Sequence, residues 1–166
     1  MRMIGFAGWS GAGKTTLLRR LIPHLTGLGH RVSTIKHAHH GFDVDQPGKD
    51  SWAHREAGAT EVLVASANRW ALMHEHRGDT EPALPALLAR LGPVDLVLVE
   101  GFKRESHPKI EVHRAANGKP AMHPHDPTVQ AVASDVPMAA HVPVLHLDDV
   151  PGIAAAVLAY AVPVAR

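Results

Sequence analysis

Apolar residues along the chain form short runs separated by polar loops and by stretches with helical spacing, a pattern typical of an α/β protein. Residues 3–7 are an apolar run that predicts a buried strand. A glycine-rich loop follows over 8–13, and leucine and isoleucine then recur at helical spacing over 17–25. Pro23 is expected to kink or split that helix, because it cannot donate to the carbonyl one turn back.

The rest of the chain repeats this alternation. Further strands are predicted over 31–36, 61–65, 70–74, 96–99, 109–113, 129–133 and 144–147, and further helices over 51–57, 82–91 and 152–161. Such an order predicts an α/β fold with a mostly parallel sheet flanked by helices, and it places ligands at the carboxyl ends of the strands. The polar stretch 37–50 is a long loop, and loops of that length in small domains are usually functional.

Composition narrows the class of protein. A length of 166 residues favours one domain, and a net charge of +1 argues against nucleic acid as a partner. The absence of cysteine excludes disulfides and thiolate metal sites. No apolar stretch is long enough for a signal peptide or a membrane span, so a cytoplasmic protein without membrane association is expected. Four of the fourteen histidines, at positions 107, 123, 125 and 141, are expected on the surface.

The loop after the first strand carries the strongest motif. Residues 8–15, GWSGAGKT, match the Walker A pattern of two glycines four positions apart followed by Lys and Thr. Glycines let successive backbone N–H groups turn inward around phosphate oxygens, and the helix N-terminus adds its positive dipole end. The motif predicts a P-loop NTPase-like fold.

Each residue of the motif has an expected role. Lys14 is expected to neutralise the β- and γ-phosphates, the Thr15 hydroxyl to bind Mg²⁺, and Thr16 to hydrogen-bond the α-phosphate. Backbone amides of the loop complete the cradle. The predicted nucleotide-binding residues of this segment are Gly11, Ala12, Gly13, Lys14, Thr15 and Thr16.

The apolar strand 96–99 has the form of a Walker B segment. Glu100 follows it and would lie at the carboxyl end, where the metal ion is expected, whereas Asp95 lies at the opposite end. Glu100 is therefore the predicted second metal-site residue. The alternative is an ordinary surface carboxylate at a strand end.

Asp135 follows the strand 129–133 late in the chain, where many P-loop GTPases read the base. Its carboxylate could accept both the ring N–H and the exocyclic amine of guanine, which adenine cannot match. The full Asn-Lys-x-Asp motif is not in the sequence. An ordinary turn aspartate is the alternative.

The loop after the second strand is rich in potential ligands. His37, His39 and His40 could meet a second, anionic ligand, and Asp43 or Asp45 could bind Mg²⁺ through water if the loop lies near the γ-phosphate. A solvated polar loop is the alternative, since neither a thiol nor a spaced histidine pair supports zinc.

Together these segments resemble the MobB family of molybdenum-cofactor biosynthesis. The resemblance rests on residues 7–18 (AGWSGAGKTTLL), 35–40 (IKHAHH), 43–51 (DVDQPGKDS), 69–73 (RWALM), 99–103 (VEGFK) and 131–137 (AVASDVP). The Walker A motif is generic, whereas KHAHH and DVDQPGKD are specific to the family. For residues 115–127 the resemblance implies no role.

The resemblance implies a function that the residues alone do not. It implies a homodimeric GTP-binding protein with at most slow hydrolysis, which acts as an adapter for the MobA-type nucleotidyltransferase and other molybdenum cofactor proteins in making molybdopterin guanine dinucleotide. It leaves open whether the 37–50 loop contacts molybdopterin. Residues 1–166 are then expected to be a single P-loop GTP-binding domain, with Asp135 on the guanine.

Two other hypotheses compete with this one. A small-molecule kinase would use the same P-loop with a mobile lid bearing Arg104 or Arg114. A metal-delivery GTPase would use His37, His39 and His40. Fast GTP hydrolysis needs a Gln or an Arg at the phosphates, and no Gln or Arg stands at an obvious position for that role in the sequence. This favours the adapter hypothesis.

Overall fold

The computed structural model describes residues 1–38 and 41–164. The chain divides into two compact units, Met1–His37 with Leu84–Arg166, and Ala38–Ala83. The larger unit carries the P-loop sequence. That residues 1–166 act as one P-loop domain stays a prediction.

The larger unit is built on a seven-stranded sheet in the order β2-β5-β1-β6-β7-β8, with β9 paired to β1. Its strands are β1 (Arg2–Ala7), β2 (Val32–Lys36), β5 (Leu96–Glu100), β6 (Lys109–His113), β7 (Val129–Ser134), β8 (Val144–His146) and β9 (Val162–Pro163). All the pairings are parallel except that of β9. The α/β fold with a mostly parallel sheet flanked by helices is confirmed.

The sheet is buried on two sides because different helices cover its faces. Helices α1 (Lys14–Gly27) and α4 (Val150–Tyr160) pack on Ile4 and Phe6 of β1, while α3 (Leu84–Leu88) packs on Val97 and Val99 of β5. All five residues of β5 are buried, as its unbroken apolar run predicts. The central strands therefore hold their carboxyl ends in fixed positions.

Two helix predictions need correction. Helix α1 is not split at Pro23, because Leu21 and Leu25 are fully buried on either side of it and hold the helix against the sheet. Helix α3 spans 84–88 rather than 82–91, because its end tightens into bonds from Arg90 N–H and Leu91 N–H to carbonyls three residues back. Within the described residues, no helix is long and apolar enough to span a bilayer.

The smaller unit contains α2 (Asp50–Glu56) and the antiparallel pair β3 (Glu61–Ala65) and β4 (Trp70–His74). The predicted bounds of both strands are confirmed, but they form a sheet of their own instead of joining the parallel one. Leu63 is paired with Leu72, and Ala65 with Trp70, so these side chains share one face. Leu63, Leu72 and Trp70 are 61%, 41% and 66% exposed. Leu63, Leu72 and Trp70 therefore form an exposed apolar strand face.

Polar side chains cover the sheet face opposite α1 and α4 at β6. The Glu111 carboxylate, 1% exposed, accepts bonds from the N–H groups of Met122 and His123, at 2.6 and 2.8 Å. The buried Lys109 ammonium donates to Thr128 Oγ1 and approaches Asp126 to 3.7 Å. These bonds tie the long segment between β6 and β7 to the sheet.

Two of the histidines predicted on the surface are buried instead. His107 and His123 are 7% and 4% exposed, whereas His125 and His141 are exposed as predicted. His107 lies over Gly5, where the missing side chain leaves room for the ring, and neither of its ring nitrogens has a hydrogen-bond partner. Burial, together with the nearby Lys109 ammonium, lowers the pKa of His107 to about 4.

The low pKa of His107 makes stability depend on pH. In the unfolded chain His107 becomes protonated as pH falls through 6.5, whereas in the folded chain it becomes protonated only near pH 4. The free energy of unfolding is therefore expected to fall by about 3 kcal/mol from this group as pH drops from 7 to 4. Urea unfolding of the wild type and of His107→Gln at both pH values measures the difference in slope.

His125→Gln is the matched control, because His125 is exposed. It should keep the wild-type pH dependence. An unchanged pH dependence in His107→Gln would show that His107 does not resist protonation in the folded state.

Candidate nucleotide-binding site

The P-loop leaves the carboxyl end of β1 in a conformation that requires glycine. Gly8, Gly11 and Gly13 have φ angles of 151°, 79° and 96°, in the region that L side chains rarely adopt. A Cβ on Gly8 would also collide with the carbonyl oxygen of Val112 in β6. The close approach of the loop to β6 thus depends on the first glycine of the motif.

The loop ends directly in a helix N-terminus. Gly13 is the N-cap of α1, and the first turn, Lys14 to Thr16, contains no acidic residue. The amides there are left for an external anion, since a glycine offers no side-chain cap and the dipole favours negative charge. The predicted phosphate-binding residues are contiguous at this point: Gly11, Ala12, Gly13, Lys14, Thr15 and Thr16.

Lys14 spans the loop with its side chain. Its Nζ donates to the carbonyl oxygens of Gly8 and Trp9, at 2.9 and 3.0 Å. Burial lowers the pKa of Lys14, and the positive charges of Lys103 and Lys36 lower it further. Several cations therefore converge on the loop.

The predicted metal-site pair is in contact. The Thr15 hydroxyl donates to Glu100 Oε1 at 2.9 Å, and Lys36 Nζ lies 3.7 Å from the same oxygen. The Glu100 side chain is only 11% exposed, so its carboxylate is held in one place. Hydroxyl and carboxylate oxygens are the donors that Mg²⁺ prefers, and the pair therefore fits that ion.

Asp45 belongs to the smaller unit and has its own partners there. Its Oδ1 accepts from Ser51 Oγ at 2.8 Å and from Gln46 N–H at 3.0 Å. Arg55 Nε lies 4.0 Å from Oδ2, and Arg55 also pairs with both oxygens of Asp43. These bonds hold the start of α2, and a role for Asp45 in metal binding stays a prediction.

His37 lies beside the end of β5. Its N–H donates to the Glu100 carbonyl at 2.9 Å, and its ring packs on Phe102 with 4.9 Å between centroids. Gly101 has a φ of 98°, and a Cβ there would lie 2.8 Å from the Cβ of His37. The other two predicted histidines, His39 and His40, lie outside the described residues.

Asp135 follows β7 and contacts the turn after β6. Its Oδ1 accepts from Ala115 N–H at 2.9 Å, and its Oδ2 lies 3.7 Å from Arg114 Nη1. The side chain is 26% exposed. Since a carboxylate has about four acceptor sites, these bonds leave capacity for a base, and the guanine role stays a prediction.

Sequence patterns indicate no site role for Asn117, which lies in the short 3₁₀ helix Ala115–Asn117, and they place Arg114 only in the lid of the kinase hypothesis. The Asn117 amide donates to the Ser10 carbonyl at 3.1 Å. A Cβ on Gly13 would lie 3.3 Å from Arg114 Nη2. An Arg at the carboxyl end of a strand beside β1 was the available signal, but only the strand order reveals that β6 is that neighbour.

Comparison with known proteins identifies the family. The family model described as "Molybdopterin guanine dinucleotide synthesis protein B", or MobB, matches residues 3–135. The chain belongs to the MobB family. The matched region includes the P-loop, Glu100, Arg114 and Asp135, so the site just described lies entirely within it.

Individual MobB relatives agree over most of the chain. Molybdopterin-guanine dinucleotide biosynthesis adapter protein from Escherichia coli (strain K12) is 49% identical over 155 residues, 92% of this chain and 89% of the relative. The protein of the same name from Haemophilus influenzae is 44% identical over 158 residues, 92% and 85% of the two chains. A crystal structure titled molybdopterin-guanine biosynthesis protein B superposes with a TM-score of 0.75 at 28% identity, covering 95% of this chain and 98% of the other.

Membership in the MobB family confirms the resemblance on which the first functional hypothesis rests. Among residues 1–38 and 41–164, no group of three or more His, Asp or Glu side chains is arranged to hold a metal ion. The family match favours the adapter hypothesis over the kinase hypothesis.

The Thr15–Glu100 pair leads to a prediction about Mg²⁺. In Glu100→Gln, the gain in nucleotide affinity that Mg²⁺ confers should fall by roughly 10- to 100-fold, because the amide keeps the shape but loses the charge that orients and attracts the ion. Titration calorimetry with the nucleotide triphosphate, in Mg²⁺ and in chelator, measures that gain.

Asp95→Asn is the matched control, since Asp95 precedes the opposite end of β5 and caps the Arg31 N–H at 2.7 Å. It should retain the wild-type response to Mg²⁺. Equal responses of Glu100→Gln and wild type would exclude Glu100 from the metal site.

Proposed function

We propose that this chain binds GTP with Mg²⁺ and acts as a nucleotide-dependent adapter in molybdopterin guanine dinucleotide biosynthesis, with at most slow GTP hydrolysis. The observation that carries the proposal is a P-loop whose Thr15 contacts the buried Glu100 in a chain of the MobB family. The relatives from E. coli and H. influenzae are named as adapter proteins of that synthesis, and we extend this role to the present chain.

The proposed nucleotide site divides the phosphates between amides and cations. Amides of the loop and of the first turn of α1 bind the phosphate oxygens, and Lys14 leaves the carbonyls of Gly8 and Trp9 for the β- and γ-phosphates. Thr15 and Glu100 hold Mg²⁺, which neutralises charge on the phosphates when bound. Asp45 stays a predicted ligand of the ion through water.

The positions of the glutamines support slow hydrolysis. The two glutamines of the chain are Gln46 and Gln130. Gln130 lies within β7 and donates to the Thr128 carbonyl at 3.2 Å, and Gln46 belongs to the smaller unit. A glutamine that orients the attacking water is what fast GTPases use, and the placement of Gln130 supports its absence from the reaction.

In the adapter role, the long loop 37–50 is the segment that binds partner proteins. Bound nucleotide would order this loop and so set affinity for a MobA-type nucleotidyltransferase and other molybdenum cofactor proteins. His37, His39 and His40 are the residues we assign to a second anionic ligand, with molybdopterin as the candidate. A cytoplasmic location is part of the same proposal.

A homodimer is also part of the proposal. The exposed apolar strand face of Leu63, Leu72 and Trp70 is the surface that supports it, because contiguous exposed apolar residues in a soluble protein mark an interface. Both β3 and β4 are edge strands of their two-stranded sheet, and a second copy could cover them.

The nucleotide proposal predicts base selectivity. GTP should bind about tenfold or more tightly than ATP, because Asp135 can accept two N–H groups from guanine only. Asp135→Asn should reverse the preference toward xanthosine triphosphate, whose carbonyl replaces the exocyclic amine. Titration calorimetry with the three nucleotides in Mg²⁺ measures both.

Asp149→Asn serves as the control, since Asp149 is a carboxylate that caps α4 through the Gly152 N–H. It should keep the wild-type order of affinities. Equal binding of ATP and GTP by the wild type would remove guanine selectivity and leave a P-loop nucleotide binder of unassigned base.

The dimer proposal has its own test. Trp70→Glu should convert the dimer to a monomer in sedimentation velocity, because it places a charge on the apolar strand face. Ala71→Glu adds the same charge to the opposite face of β4 and should leave the dimer intact. A wild-type chain that sediments as a monomer would contradict the proposal.

A further inference from the structure

The turn that follows β6 is attached to the P-loop along its length. Asn117 Nδ2 donates to the Ser10 carbonyl at 3.1 Å, and Trp9 Nε1 donates to the Pro120 carbonyl at 2.9 Å. A Cβ on Gly11 would lie 3.2 Å from Asn117 Oδ1, so the turn and the loop are in direct contact. Residues 114–120 thus form a wall beside the phosphate cradle.

Arg114 begins this wall and lies at the start of helix α1. A Cβ on Gly13 would lie 3.3 Å from Nη2 and 3.7 Å from Nε, so the guanidinium packs on the N-cap itself. The Arg114 side chain is 40% exposed, which leaves donors accessible from solvent. Its position is therefore fixed by contacts on one side and open on the other.

The charges around Arg114 and the N-terminus of α1 sum to a positive value, which favours the binding of an anion. A guanidinium at a helix N-terminus opposes the positive end of the helix dipole, which by itself is unfavourable. On the P-loop itself, Lys36 and Lys103 are near enough to Lys14 to lower the pKa of its ammonium. Asp135 offsets Arg114 at 3.7 Å, Asp148 lies near enough to Arg114 for the guanidinium to lower the pKa of that carboxyl, and Glu100 offsets Lys36 at 3.7 Å. A polyanion would neutralise the remaining charge.

We propose that Arg114 contacts the nucleotide phosphates and that Asp135 positions it. The proposal rests on the nucleotide binding proposed above. Lys14 Nζ lies on the carbonyls of Gly8 and Trp9 at the start of the loop, whereas Arg114 lies at its end on Gly13, so the two cations approach the phosphates from different sides. The fork of guanidinium donors suits phosphate oxygens.

In this role Asp135 holds the Arg114 side chain and the turn after β6 in place. Its Oδ2 faces Arg114 Nη1, and its Oδ1 accepts the next backbone N–H, that of Ala115, at 2.9 Å. One carboxylate thus fixes both the backbone and the side chain of Arg114. Base reading by Asp135 is compatible with this role, because each oxygen accepts more than one bond.

The experiment compares nucleotides that differ in phosphate number. Calorimetry with guanosine, GMP, GDP and GTP is done for the wild type, Arg114→Ala and Arg114→Lys. Arg114→Ala should weaken GTP and GDP binding by roughly 10- to 100-fold, the range for a hydrogen bond to a charged group, and change guanosine binding less than about twofold. Arg114→Lys should recover part of the loss, because it restores the charge without the fork.

Arg19→Ala is the control, since it removes the same charge from an exposed position on α1. It should leave GTP affinity within about twofold of wild type. Thermal unfolding without nucleotide confirms that Arg114→Ala is folded.

The outcomes separate this inference from the proposed function. Failure of the wild type to bind any guanine nucleotide would overturn the proposed function itself. Tight GTP binding by both the wild type and Arg114→Ala would overturn only the role of Arg114. An equal loss for guanosine and GTP that Arg114→Lys does not restore would show that Arg114 merely supports the turn, which also overturns the proposal.

Discussion

The parallel pairing of β1 with β5 determines the geometry of the site. Phe6 is paired with Glu100, so the P-loop after Ala7 and the carboxylate that ends β5 emerge from the same edge of the sheet. This register brings the Thr15 hydroxyl to 2.9 Å from Glu100. A shift of one residue would turn Glu100 to the other face, because side chains alternate along a strand. Burial of all of β5 makes such a shift costly.

Electrostatics at this edge follow from the strand order. Strand ends and the loops after them bring Lys14, Lys36, Glu100, Lys103, Arg114 and Asp135 to one edge of the sheet, although these residues come from five separate segments of the sequence. Each carboxylate lies 3.7 Å from a cation, Glu100 from Lys36 and Asp135 from Arg114. The net charge of these side chains is positive, and it lies at the N-terminus of α1, where phosphate is bound most favourably.

The polar face of β6 connects stability to the site. Glu111 holds the N–H groups of Met122 and His123, and Pro120, two residues earlier, accepts the Trp9 indole N–H. The segment between β6 and β7 therefore packs against the polar face of β6 and also forms the wall beside the P-loop. Buried carboxylates that accept backbone amides are strongly held, since an unpaired amide left behind would be costly.

The sequence by itself determined the alternation of strands and helices, the P-loop, Glu100 and the family. These are local signals: the spacing of glycines, an unbroken apolar run and a carboxylate at its end. Tertiary structure decided what depends on neighbours distant in sequence. Helix α1 continues through Pro23 because packing of Leu21 and Leu25 outweighs one lost bond, and His107 is buried because Gly5 on another strand leaves room for it. Arg114 and Asn117 reach the P-loop only because β6 is the neighbour of β1, and a strand order is a property of the whole sheet that no local pattern encodes.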